Sequence, residues 1–207
     1  MQFTEGVRAL PLWINGRACL RLTAAFGDVR NPVSGALLRR APLCGESDVN
    51  EAVCSALAAL PAWRDAGRET RCHVLAAMAD ALSGLAQHFA RIIAEETGVG
   101  EAQAAHRVVE IVAQLQRPKA LARAGVVLVS GESSPDVATL AGRAAAALAA
   151  GCGAIVCPSL AAPSALLALA ELAGRCGLPA GLMSVLYLDE SVLAKLRSRR
   201  DPSFLAK

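Results

Sequence analysis

Apolar positions along this chain change their period near residue 125, and that change separates two kinds of architecture. At the start, Leu12-Trp13-Ile14 runs into Asn15-Gly16, a dipeptide suited to the positive-φ positions of a two-residue hairpin. A partner strand is expected near Leu20–Thr23. After the turn signals Asn31-Pro32 and Ser34-Gly35, a further strand is expected over Ala36–Arg40. Residues 1–46 thus predict a strand-rich cap.

Over residues 47–124 the spacing lengthens to steps of three and four. Ser47 is placed to cap a helix whose apolar stripe is Val49, Val53, Ala56, Leu57 and Leu60, with Pro61 expected to end it. From Arg68 to Thr97, Val74, Leu75, Met78, Leu82, Leu85, Phe89, Ile92 and Ile93 predict one long helix, bent at Gly84 and closed by Gly98. Val108, Val109, Val112 and Leu115 mark a third helix stopped by Pro118.

From residue 125 to 207 short continuous apolar runs alternate with helical stretches. Strands are expected over Val126–Val129, Ala154–Cys157 and Leu182–Leu188, and helices over Val137–Ala150, Ser164–Cys176 and Val192–Ser198. Runs apolar on both faces suit strands buried between helix layers, and the alternation predicts a parallel sheet with right-handed crossovers. The expected fold is α/β: a partial doubly wound, Rossmann-like sheet with helices on both faces and an N-terminal strand cap, all in one unit over residues 1–207.

Composition narrows the partners. The 207 residues carry a net charge of +3, and no basic cluster alternates with aromatics, so no nucleic-acid surface is expected. Residues 144–170 carry no charge, but Gly151, Gly153, Pro158 and Pro163 cut the run into strand- and helix-length pieces, which argues against a membrane span. Seven cysteines without a C-x-x-C pair suit reduced thiols in a cytoplasmic protein, and the N-terminus lacks the apolar region of a signal peptide. His73, His88 and His106 form no ligand-like set, so no metal site is expected. Glu95, Glu96 and Glu101 read as solvated helix-end carboxylates. Gly131-Glu132-Ser133-Ser134-Pro135 falls short of a hydrolase nucleophile elbow: Pro135 stands in place of the last glycine and no histidine follows.

The order of short motifs resembles the aldehyde dehydrogenase superfamily, in its N-terminal, cofactor-binding half. Trp13-Ile14-Asn15-Gly16 matches the opening strand, and Asn31-Pro32-Val33-Ser34-Gly35 the N-P-x-T-G turn. Asp48 to Trp63 and Arg71 to Leu82 match two helix patterns; Glu96-Thr97-Gly98 matches E-T-G, and Gly177 to Gly181 matches G-L-P-x-G.

The resemblance implies a site for NAD or NADP at Ser134, Cys157, Pro158 and Ser159, with most of its chemistry exchanged. Where the family's P-W-N-F-P has the asparagine that donates to the oxyanion, this chain has Ser134, with Ser133 at the tryptophan. The lysine and glutamate of K-P-S-E, which grip the adenosine ribose, correspond to Cys157 and Leu160, leaving Pro158 and Ser159. Leu188 stands where a glycine admits the adenine, and Arg143 where the family has Lys or Arg. The stretch from Gly98 to Gly125 is shorter than the family's, which places an oligomerisation arm there. The sequence stops short of the F-T-G-S element and of the catalytic half. These departures lead us to expect a non-catalytic structural or interaction subunit with at most weak NAD(P) binding. The partner is expected to be a second copy or a catalytic aldehyde-dehydrogenase-type chain. Two other functions fit the same motifs: the cofactor-domain piece of an NAD(P)-dependent aldehyde oxidoreductase, or a regulatory module meeting a phosphate at the helix N-terminus near Ser159.

Overall fold

The computed structural model describes residues 8–21, 23, 25–122, 124–131, 136–198 and 204–206. Five strands come first: β1 (Arg8–Ala9), β2 (Leu12–Ile14), β3 (Arg17–Cys19), β4 (Phe26–Arg30) and β5 (Leu37–Pro42). Four helices follow: α1 (Glu46–Asp65), α2 (Gly67–Gly84), α3 (Ala86–Thr97) and α4 (Glu101–Gln116). The rest alternates through β6 (Val126–Ser130), α5 (Val137–Ala149), β7 (Gly153–Cys157), α6 (Ser164–Arg175), β8 (Met183–Val185), α7 (Glu190–Ser198) and β9 (Phe204–Ala206).

The expected α/β sheet is present, in the order β3-β2-β8-β7-β6-β9. Strands β8, β7, β6 and β9 run parallel, and all five residues of both β6 and β7 are buried, as their unbroken apolar runs require. The strand order places the β6–α5–β7 and β7–α6–β8 crossovers on one face and the returning α7 on the other, given right-handed connections. The N-terminal strands divide between two sheets. β1, β5 and β4 form a small sheet of their own, while the β2–β3 hairpin joins the main sheet through Trp13 opposite Val185.

Several boundaries differ from expectation, each for a physical reason. The hairpin partner is Arg17–Cys19 rather than Leu20–Thr23: Asn15 (φ 52°) and Gly16 (φ 70°) close a two-residue turn, which starts the return strand at once. Ser47 does not cap α1. Gly45 takes that place, and the Asp48 carboxylate, a stronger acceptor than a hydroxyl, receives the Gly45 N–H at 3.1 Å. Pro61 lies inside α1 rather than ending it. The extra turn carries Trp63 into the core, where its indole N–H donates to the Leu148 carbonyl at 2.9 Å. The long helix is two helices, broken at Leu85, which is left exposed while Leu82 and Phe89 are buried on either side. β9, which the sequence did not suggest, is the fourth parallel strand.

Candidate functional site

In an open parallel sheet, ligands meet the carboxyl ends of the strands, because loops and helix N-termini converge there. Here β6 ends at Ser130-Gly131, β7 at Cys157-Pro158-Ser159, and the chain leaves β8 through Leu186, Tyr187 and Leu188. Ser133 and Ser134, the expected counterparts of the oxyanion donor, lie outside the described residues. The loop that holds them leaves β6 with the Gly131 N–H donating to the Cys157 carbonyl at 3.0 Å, so the two strand ends are tied together.

The three described candidates share one loop, between β7 and α6. Cys157 is 3% exposed and belongs to the hydrophobic core, and Pro158 is buried beside it. Ser159 is half-buried; its hydroxyl oxygen accepts the Ala161 N–H at 3.2 Å and its carbonyl the Ala162 N–H at 3.2 Å, which folds the chain into α6. Leu160 lies across the small sheet: a Cβ on Gly27 of β4 would stand 2.3 Å from its Cδ1. The absence of a side chain at Gly27 is what admits the leucine. Cys157, Pro158, Ser159, Leu160 and Leu188 therefore line these strand ends without contributing a charge.

The charged chemistry sits one layer deeper, at a residue expected to be solvated. Glu96, near the end of α3, is 1% exposed. Its Oε2 accepts the Ser164 backbone N–H at 3.0 Å, and its Oε1 accepts the Ser164 hydroxyl and the Arg39 guanidinium, the latter at 3.1 Å. Arg39 also reaches Glu95, at 2.9 Å. Ser164 is the first residue of α6, so Glu96 supplies the negative charge that this helix N-terminus favours. Burial pushes the Glu96 carboxyl above its ordinary range, and the bonds from Ser164 and the charge of Arg39 only partly offset it.

Two stretches singled out in the sequence meet at this point. Gly98, in the left-handed region at φ 70°, ends α3, and a Cβ there would lie 2.8 Å from both Pro32 Cγ and Val33 Cγ2. The Asn31 side chain holds the turn over it, donating to the Glu95 carbonyl at 2.8 Å and accepting the Val33 and Ser34 N–H groups at 2.9 Å. Asn31-Pro32-Val33-Ser34-Gly35 and Glu96-Thr97-Gly98 thus form one joint, which links the small sheet to the start of α6. Sequence reasoning missed Arg39 and Glu96 as partners; the signal available was the intact E-T-G beside so many exchanged polar positions. Tyr187 belongs to the same region. Its hydroxyl donates to the Pro11 carbonyl at 3.2 Å, and burial, reinforced by Glu96 and Cys44, raises its pKa.

The remaining candidates lie elsewhere. His73, His88 and His106 are exposed, His106 standing 3.5 Å from Glu110 one helical turn along, and among the described residues no cluster could hold a metal ion. Arg143 is exposed on α5 and Glu101 at the start of α4. Among the described residues no helix is long and apolar enough to cross a membrane.

A model of the aldehyde dehydrogenase family matches residues 23–127 and 136–204. An aspartate-semialdehyde dehydrogenase (non-phosphorylating) of Halomonas elongata is 28% identical over 211 aligned residues, covering 89% of this chain and 41% of that protein. The human mitochondrial succinate-semialdehyde dehydrogenase is 31% identical over 185 residues, covering 79% of this chain and 35% of its own. An aldehyde dehydrogenase from Brucella melitensis biovar abortus superposes with a TM-score of 0.80 at 23% identity, over 91% of this chain and 44% of that one. The chain spans about two fifths of the length of the curated relatives it matches.

Proposed function

The chain belongs to the aldehyde dehydrogenase family, and from that premise we propose that these 207 residues act as a structural or interaction module that does not itself oxidise aldehydes. The observation that carries this is the state of the loop between β7 and α6. At the two positions where the family resemblance implies ribose-gripping charges, the chain has a thiol sunk in the core at Cys157 and a leucine folded onto Gly27 at Leu160. A charged hydrogen bond contributes about 1.5–3 kcal/mol. Losing two weakens a micromolar dinucleotide site by roughly two orders of magnitude or more. The residues present do not fit the adenosine ribose of NAD or NADP. The phosphate-binding role for the N-terminus of α6 fits no better, because Glu96 already holds the Ser164 N–H and places a negative charge there.

What is kept intact is framework: the joint at Gly98, the Glu96–Ser164 contact and the buried sheet. The family's typical assembly into oligomers supports a second copy, or a catalytic chain of the same family, as the partner. Seven cysteines, none in a disulfide, support a reducing compartment such as the cytoplasm. Calorimetric titration with NAD and NADP, beside a nicotinamide-absorbance assay over a panel of aldehydes, tests the proposal. No saturable heat at millimolar cofactor and no turnover are expected; a dissociation constant in the low micromolar range overturns it.

The span of about two fifths of each relative favours a second reading, in which the chain is the cofactor-side portion of an NAD(P)-dependent aldehyde oxidoreductase completed by other residues. Native mass spectrometry of the protein from its source separates the two. A catalytic half carrying an aldehyde-reactive cysteine, on a companion chain or on a longer form of this chain, supports the second reading, and the absence of both removes it.

A further inference from the structure

The middle of α1 has no charged side. Residues 52–63, between Glu51 and Arg64, carry no charge at all. One side of this stretch is sealed, with Ala52, Ala56, Leu60 and Trp63 buried. The opposite side presents Cys54, Leu57, Ala58, Pro61 and Ala62 to solvent, Leu57 being 39% exposed. By contrast α3 turns Arg91 and Glu95 outward, and α4 turns out Glu101 and Glu110. A helix that is apolar all round belongs where both sides are covered, and an exposed apolar patch with a polar rim marks an interaction surface.

The order of residues on this side says what covers it. Glu51 and Arg64 lie equally far from the midpoint between Leu57 and Ala58, and so do Cys54 and Pro61. Laid antiparallel about that midpoint, two copies of α1 set Leu57 against Ala58, Cys54 against Pro61, and Glu51 level with Arg64 of the other copy. Asp65 comes level with Asn50 rather than with a like charge. Small side chains along the seam allow axes to approach to about 8–10 Å, the spacing at which helices interdigitate. Both end charges have capacity left. Among the described residues Arg64 donates only through Nε, to the Gly151 carbonyl at 3.3 Å, and Glu51 meets Arg21 through Oε2 alone. A parallel pairing would instead stack Glu51 on Glu51 and Arg64 on Arg64, a costly juxtaposition. We infer, resting on the interaction reading above, that the solvent side of α1 is the contact surface for a second copy of this chain, packed antiparallel across Cys54, Leu57, Ala58 and Pro61.

The Pro61→Cys variant of the full chain, treated with the thiol oxidant diamide, tests this register. Positions 54 and 61 lie two turns apart on one helix, about 10 Å. That is too far for a disulfide within one chain, whose Cβ atoms must stand about 3.5–4.5 Å apart. Across the antiparallel seam they face each other. Non-reducing electrophoresis of Pro61→Cys is expected to show a covalent dimer about tenfold more abundant than in the parent, and adding Cys54→Ser is expected to abolish it. Adding Leu57→Asp to Pro61→Cys is expected to cut the yield about tenfold by placing a charge in the seam, with an unchanged circular-dichroism melt showing that the fold is intact. The surface is overturned if Pro61→Cys gives no more covalent dimer than the parent, if the dimer persists without Cys54, or if Leu57→Asp leaves its yield unchanged. A failed cross-link beside flat NAD and NADP titrations removes this surface alone. A formed cross-link beside low-micromolar cofactor binding supports the surface and overturns the non-catalytic reading alone.

Discussion

A carboxylate sealed from water, as at Glu96, is tolerated only where donors replace its hydration. Three do so: the Ser164 N–H, the Ser164 hydroxyl and the Arg39 guanidinium. Glu95 and the Tyr187 ring face the same spot, the first through Arg39 and the second as a buried phenol. Because desolvation leaves the Glu96 pKa above its usual 4.5, the folded protein binds this proton more tightly than the unfolded chain does. Its contribution to stability is therefore complete below about pH 4.5 and is lost as pH rises through the folded value. The Glu96→Gln variant keeps a hydrogen-bonding side chain but cannot titrate. Urea midpoints of both proteins, followed across this window, should show the parent losing stability relative to the variant as pH increases; parallel curves would refute the buried titration. Nothing local in the sequence indicated this. The groups that desolvate and pair Glu96 lie 57 and 68 residues away along the chain, and Glu95 beside it is exposed as its neighbours suggest.

Two helix ends give measurable predictions, one capped by a side chain and the other closed by a glycine. At the start of α5, burial pushes Asp136 up, but the Thr139 hydroxyl and N–H bonds, with Arg107 beyond them, outweigh it and hold the carboxyl below 3.8. That contribution is present above pH 3.8 and disappears as pH falls through the folded value, opposite in sign to Glu96. Replacing this cap, Asp136→Ala, should cost about 1 kcal/mol and lower the melting temperature by about 2–4 °C at neutral pH. The difference should shrink in acid. At the end of α3, Gly98→Ala combines an unfavourable positive φ with a Cβ pressed on Pro32 and Val33. A loss of about 2 kcal/mol is expected, with faster proteolysis near residues 31–35; an unchanged midpoint would show that the turn yields freely. The helices and buried strands were legible because period and apolar runs are local signals. Their ends were less so. Pro61 stays helical because Trp63 beyond it gains a buried hydrogen bond, and the break between α2 and α3 falls at Leu85, an exposed position that no apolar contact marks in the sequence. Likewise, the exchanged residues at 157 and 160 were visible by position, but the packing of Leu160 depended on Gly27, in a different sheet.

Across the whole molecule the two sheets are interlaced rather than stacked end to end. The chain leaves the small sheet after β1, enters the main sheet as β2–β3 and returns as β4–β5; the Cys44–Leu188 bridge then stitches the sheets again. Separating them would break main-sheet pairing, so the cap and the sheet should unfold together. Assembly depends on the edges that remain. β1, β3, β4 and β9 each have only one strand partner among the described residues. Short length protects β1, and alternating charge at Asp28 and Arg30 protects β4. β9 lies at the rim of the parallel sheet and pairs with β6 alone among the described residues. A second copy pairing along β9 would extend the sheet and remove that edge. Light scattering at tens of micromolar should therefore report a dimer or larger species, and amides 204–206 should gain hydrogen-exchange protection as concentration rises. A monomer whose exchange at these amides is independent of concentration would show that this edge does not drive assembly.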